Sequence, residues 1–259
     1  MTRGRTVGKG GVGKTTFATA LGATLADRRG DRIVAMDANP DRGTLAERIP
    51  LETTATVRHL LRDADRIRTY PDVRAYTSQA PSRLEVLASE QDPEVSEAFS
   101  ERDYRQAVGL LSHFYNCILT DCGTGLMHSA MKGVLDEADA LVIVSPTAID
   151  GARSASATLD WLDAHGYGEL VARSITVLNT NRRSGGKNVD AQRLTQHFAA
   201  RTRSVVQVGF DPHIDQGSEI DLRRLSASTQ ESLLELAAVV ADDFPHAMAR
   251  RGAGRPALY

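Results

Sequence analysis

The sequence predicts a three-layer α/β fold with a mainly parallel central sheet flanked by helices. Two observations predict it. Strand-like apolar runs alternate with helical stretches along most of the chain, the signature of βαβ units. Polar side chains stand at the carboxyl ends of those runs, at Asp37, Asp121, Asn179 and Asp211, where open parallel sheets bind ligands. A third observation points to what the sheet carries. A glycine-rich loop from Gly8 to Thr15 leads straight into a helical pattern.

The predicted elements follow in order. The phosphate-type loop normally follows a buried apolar strand, yet only Thr6-Val7 offers one, after Arg3-Gly4-Arg5. The expectation is an abbreviated first strand, or a chain that starts downstream of its natural beginning. A helix is predicted from Lys14 to about Asp27, with Phe17, Ala18, Leu21, Gly22 and Leu25 at helical spacing. Strands are predicted at Arg32–Met36, Leu84–Ala88, Asn116–Thr120, Ala140–Val144, Ser174–Leu178 and Val205–Val208. Ser100 and Asp103 form a capping-box pattern ahead of a helix reaching about His113. Amphipathic helices are predicted at Asp150–His165 and Asp190–Ala200, and a last one at Thr229–Phe244. The polar stretch from Gly43 to Arg83 is read as short helices beside a switch region. Residues 1–246 are expected to form one domain and residues 247–259 a flexible basic tail.

The loop fits G-x-x-x-x-G-K-S/T, read from Gly8 to Thr15. Gly8, Gly10, Gly11 and Gly13 allow backbone conformations that let successive N–H groups, including that of Val12, point at phosphate oxygens. Lys14 is expected to reach the β- and γ-phosphates, Thr15 to offer its hydroxyl to Mg²⁺, and Thr16 to complete the cradle. The helix that follows aims its positive end at the phosphates. A nucleoside triphosphate is the implied ligand. Cys117 to Gly125 reads as an apolar strand followed by D-x-x-x-G. Asp121 would hold Mg²⁺ through its water shell, and the Gly125 N–H would meet the γ-phosphate.

Composition limits the alternatives. The chain has 259 residues, 41% of them hydrophobic and 25% charged, with a formal net charge of -2. That is ordinary for a globular domain and gives no global field toward nucleic acid or membrane. No run is long enough to span a bilayer, and Met1 to Arg5 lacks the apolar core of a secretory signal. Cys117 and Cys122 make no disulfide framework or metal-ligand spacing. The expected location is the cytoplasm.

Lys9-Gly10-Gly11-Val12-Gly13-Lys14-Thr15-Thr16 resembles the deviant Walker A motif of the ParA/MinD ATPases, a branch of the three-layer P-loop NTPases. The resemblance implies ATP and Mg²⁺ as ligands and an ATP-sandwiched homodimer in which Lys9 reaches the partner's phosphates. It implies that Asp37, which opens Asp37-Ala38-Asn39-Pro40-Asp41, binds near Mg²⁺. The family commonly has a second aspartate where this chain has Asn39, so slow hydrolysis is expected, or hydrolysis helped by Asp41 or a partner. It implies an adenine contact at Asn179, and it places Phe210-Asp211-Pro212-His213 in the loop on the other side of the base. Asp37 to Leu45, Asp121 to Gly125 and Asp150 to Ala155 look like the actinobacterial MinD/ParA-like proteins, including those linked to type VII secretion.

Several cellular roles fit such a switch. A protein partner is expected in each. Non-specific DNA binding would use Arg182, Arg183, Lys187, Arg223, Arg224, Arg250 and Arg251. A membrane positioner would need an amphipathic terminal helix, which Gly252, Gly254 and Pro256 oppose. Regulation of a secretion or assembly system is the third. A nucleotide-binding interaction module with little turnover is the alternative to a working ATPase.

Overall fold

The computed structural model describes residues 2–7, 11–39, 43–90, 99–123, 128–180, 191–247 and 249, with only the main chain described for 2–7. Its sheet has eight strands among the described residues: β1 (Thr2–Val7), β2 (Ile33–Ala38), β3 (Ser78–Gln79), β4 (Glu85–Leu87), β5 (Cys117–Cys122), β6 (Val142–Pro146), β7 (Ile175–Asn179) and β8 (Ser204–Val208). Their order is β3-β4-β2-β5-β1-β6-β7-β8. Among the described residues, only the β3–β4 pair is antiparallel.

The first strand corrects the sequence reading. β1 is six residues long, not two. It pairs with β5 from Thr2↔Cys117 to Thr6↔Asp121, and with β6 at Thr6↔Val142 and Val7↔Ile143. Main-chain pairing to β5 on one side and β6 on the other defines this strand, a signal that lies in its neighbours and not in its own residues. β1 thus lies at the centre, and the chain leaves it on one side for β2 and returns on the other at β6. The crevice at this reversal is where an open α/β sheet takes its ligand.

The helices are α1 (Lys14–Arg28), α2 (Val57–Arg62), α3 (Tyr70–Arg74), α4 (Glu101–Leu111), α5 (Ser129–Asp136), α6 (Ile149–Ala164), α7 (Gly168–Arg173), α8 (Ala191–Ala199), α9 (Pro212–Asp215) and α10 (Ala227–Ala241). Alternation along the strands sorts them into two layers. Ile33, Ala35, Leu119, Val142, Val144 and Val177 face a core completed by Phe17 and Leu21 of α1 and by Leu233, Leu236 and Val240 of α10. Val34, Met36, Ile118 and Ile143 face the opposite core, filled by Tyr104, Val108 and Leu111 of α4, Val134 of α5, Leu159 and Leu162 of α6, and Phe198 of α8. Gly22 lets α1 lie directly on the sheet: a Cβ there would stand 2.9 Å from methyl carbons of Leu119 and Leu84.

The capping box is present. Ser100 Oγ accepts from Asp103 N–H at 3.2 Å, and the Asp103 carboxylate accepts from Ser100 N–H at 3.0 Å. The stretch from Gly43 to Arg83 resolves into short pieces, with Thr56 and Thr69 capping α2 and α3. It also carries β3, which the sequence reading did not contain. No described helix is long and apolar enough to cross a membrane.

Candidate functional site

The sheet delivers three loops to one place. The first runs from β1 into α1. Gly11 and Gly13 have φ of +75° and +102°, the left-handed region that residues with a Cβ rarely adopt. Gly13 caps α1, and its carbonyl accepts from Phe17 N–H at 2.9 Å. The first turn of α1 carries no acidic residue, so the positive end of the helix dipole is left for an external anion. Lys14 is 7% exposed. Burial lowers its pKa, and the charges of Asp121 and Cys122 act to raise it.

The second contribution is a pair of carboxylates. Asp37 and Asp121 are register partners on the adjacent strands β2 and β5, and each is 1% exposed. They lie within the last two residues of their strands rather than after them. Thr15 Oγ1 donates to Asp121 Oδ2 at 2.6 Å. Asp37 Oδ1 accepts from Asn39 N–H at 3.0 Å, and Asp37 Oδ2 from Leu45 N–H at 3.1 Å. Burial first, and the like charge of Asp121 second, push the Asp37 carboxyl up to about 7, against the pull of those N–H groups.

The third loop follows β8. A cleft is lined by Gly11, Gly13 and Thr16, by Asn179 and Thr180 at the end of β7, and by Val208 to Asp211, Ile214 and Asp215. Asn179 Nδ2 donates to the Val12 carbonyl at 3.1 Å, fastening the phosphate-type loop to β7. Asp211 lines the cleft, but its carboxylate is engaged inside the protein. It accepts from His213 N–H at 2.8 Å, Ser226 N–H at 2.9 Å and Ser226 Oγ at 3.0 Å. Burial acts to raise its pKa, and hydrogen bonds from Ser226, Thr229 and His213 outweigh that and hold it low. These bonds hold the shape of the loop that lines the cleft.

Lys14, Thr15, Thr16, Asp37, Asn39, Asp121, Gly11, Val12, Gly13, Asn179 and Asp211 thus all lie at the carboxyl ends of β1, β2, β5, β7 and β8. Gly8, Lys9, Gly10, Asp41 and Gly125 lie outside the described residues. Sequence reasoning missed Gly43. A Cβ there would stand 2.1 Å from both Asp37 Oδ2 and Ser89 Oγ, so only a glycine lets this loop close on Asp37. It also missed Ser89, two residues past the end of β4, although the rule that polar residues follow strands applies to it as well.

The donor set suits a hard divalent cation: the Thr15 hydroxyl and the Asp37 and Asp121 carboxylates are all oxygen donors. Mg²⁺ prefers few protein ligands and completes its shell with water and phosphate oxygens.

Comparison with known proteins agrees. Residues 6–244 match the CobQ/CobB/MinD/ParA nucleotide binding domain. The ESX-1 secretion-associated protein EspI of Mycobacterium tuberculosis is 40% identical over 241 residues. That alignment covers 92% of this chain and 36% of EspI, so the chain spans about a third of that relative's length. The ParA family ATPase of Chlorobium tepidum superposes with a TM-score of 0.76 at 15% identity, covering 92% of this chain and 99% of the other. The septum site-determining protein MinD of Pyrococcus horikoshii, complexed with Mg-ADP, superposes with a TM-score of 0.71 at 18% identity, covering 91% and 94%. These two likenesses establish the three-layer fold. With a family match running from the end of β1 past α10, the chain belongs to the CobQ/CobB/MinD/ParA nucleotide-binding family.

Proposed function

We propose that the chain is an ATP- and Mg²⁺-dependent molecular switch that forms an ATP-sandwiched homodimer, hydrolyses ATP slowly, and regulates a secretion or assembly system from the cytoplasm. The observation that carries this reading is the 2.6 Å hydrogen bond from Thr15 Oγ1 to Asp121, beside the buried Asp37. It brings together the loop hydroxyl and the strand-end carboxylate that a phosphate-bound Mg²⁺ needs. Bound there, Mg²⁺ would offset the charge of the phosphates and of the two carboxylates. Lys14 supplies a fixed positive charge to the phosphate chain, and α1 adds its dipole. Asn179 offers an amide to the adenine edge from the floor of the cleft loops. Lys9 would cross to the partner's nucleotide. Asn39 would orient water by hydrogen bonding without the charge of a carboxylate, which is why turnover is slow. The name of EspI, a secretion-associated protein, supports the cellular role over DNA partitioning.

Light scattering with ATP·Mg²⁺ and with ADP tests the switch. The expected result is a dimer with ATP only, and a monomer for Lys9→Ala. A nucleotide-bound monomer in both states would overturn it in favour of a second reading, a nucleotide-binding interaction module. Asn39 in place of an acidic residue is the observation favouring that second reading.

A further inference from the structure

We infer that Arg48 is an anion-binding residue of this site, placed to meet the phosphate chain of a nucleotide held by Lys14 and Thr15. This rests on the nucleotide-binding reading above. Arg48 ends the 3-10 turn Leu45–Arg48. The first residue of that turn donates its N–H to Asp37 Oδ2 at 3.1 Å. At the other end, the Arg48 carbonyl accepts from Ile220 N–H at 2.9 Å. The main chain is therefore fixed between the strand-end carboxylate and the segment that follows α9.

The side chain lies against that segment. Its Nη1 is 3.7 Å from where a Cβ on Gly217 would stand, two residues beyond Asp215 in the wall of the cleft. Its Nε is shielded from water and has no hydrogen-bond partner, an arrangement folded proteins seldom keep without a use. Burial lowers the pKa of the group, and the charges of Glu47 and Asp121 act to raise it. Asp121 is the carboxylate that accepts from the Thr15 hydroxyl. A guanidinium is a permanent cation with a planar fork of donors that matches phosphate oxygens. Lys14 offers only a point charge. A shielded donor on a fixed main chain, within electrostatic reach of Asp121, has an anion as its missing partner. The anion this site takes is a phosphate.

The test uses the whole chain as wild type, Arg48→Ala and Arg48→Lys. Melting is measured without nucleotide, and ATP·Mg²⁺ and ADP·Mg²⁺ are titrated by calorimetry. The alanine variant should melt at or above wild type without nucleotide, because no native bond is lost at Nε. It should bind ATP about tenfold more weakly, with lysine restoring part of the affinity. The loss should be larger at about 50 mM than at about 500 mM salt. Unchanged ATP affinity in Arg48→Ala would overturn the inference, whether or not melting falls; a fall in melting alone would assign Arg48 to structure. Wild-type protein that binds no ATP would instead overturn the nucleotide-binding reading itself, and this inference with it.

Discussion

Replacing Gly43 with alanine tests whether the loop after β2 is built around Asp37. The new Cβ would stand 2.1 Å from Asp37 Oδ2, 2.1 Å from Ser89 Oγ and 2.5 Å from Asp37 Cγ. Carbon and oxygen settle at about 3.5 Å, so the loop or the carboxylate must move by about 1.4 Å. Such a movement breaks the 3.1 Å bond from Leu45 N–H to Asp37. A hydrogen bond to a charged group contributes about 1.5–3 kcal/mol, and overpacking costs about 1–3 kcal/mol. Their sum, about 2.5–6 kcal/mol, is a large share of the stability of a typical domain, about 5–15 kcal/mol. Urea unfolding followed by circular dichroism reads the loss. Gly30→Ala is the control, since nothing lies within 4 Å of a Cβ there. The folded fraction of Gly43→Ala should also lose most of its ATP-induced rise in melting temperature, because Asp37 is displaced. A Gly43→Ala protein within about 0.5 kcal/mol of wild type, with its nucleotide response intact, would refute the reasoning.

Four further outcomes are expected. Glu85 is buried and accepts from the hydroxyls of Tyr70, Thr77 and Tyr115, so Glu85→Ala should cost at least about 1–3 kcal/mol in urea unfolding, the cost of one buried donor left unpaired; its binding of ATP per folded molecule should not change. Asn39→Asp should speed ATP turnover in a phosphate-release assay, and an unchanged rate would remove Asn39 as the brake. Asn179→Leu loses both the tether to Val12 and the amide in the cleft, so calorimetry should show ATP affinity falling about tenfold or more. The Asp211 pKa is depressed below 3.8 in the fold, so its stabilisation is complete above that value and is lost as pH falls through the folded pKa; Asp211→Asn should show a flatter loss of melting temperature on acidification from about pH 5 to pH 2.

Much of this was legible because the informative residues are local in sequence. The apolar runs ending at Asp37 and Asp121 mark β2 and β5, and the glycines before Lys14 mark the left-handed turn that Gly11 and Gly13 adopt. Ser100 and Asp103, three residues apart, announce α4 by themselves. What was missed depends on distant partners. β1 is made by β5 and β6 on either side of it, so Arg3-Gly4-Arg5 disguised it. β3 is a two-residue edge defined only by β4. The juxtaposition of Asp37 and Asp121 follows from β2 lying next to β5, an order no local pattern encodes. The same holds for Gly43 against Ser89, and for Arg48 against Gly217. The engagement of Asp211 by Ser226, fifteen residues on, ties the cleft loop to the start of α10, and spacing alone gave no sign of it.

The loop from β1 to α1, with Asp121 behind it, is the proposed site for ATP and Mg²⁺. A calorimetric titration of ATP into wild type and Thr15→Ala, each with Mg²⁺ and with chelator, tests it most directly. One site per chain is expected in wild type, with affinity that falls at least about tenfold when Mg²⁺ is removed. In Thr15→Ala, which cannot present a hydroxyl beside Asp121, Mg²⁺ should make little difference. Folded wild-type protein that takes up no ATP, or binds it equally with and without Mg²⁺, would rule out an ATP·Mg²⁺ site in this loop.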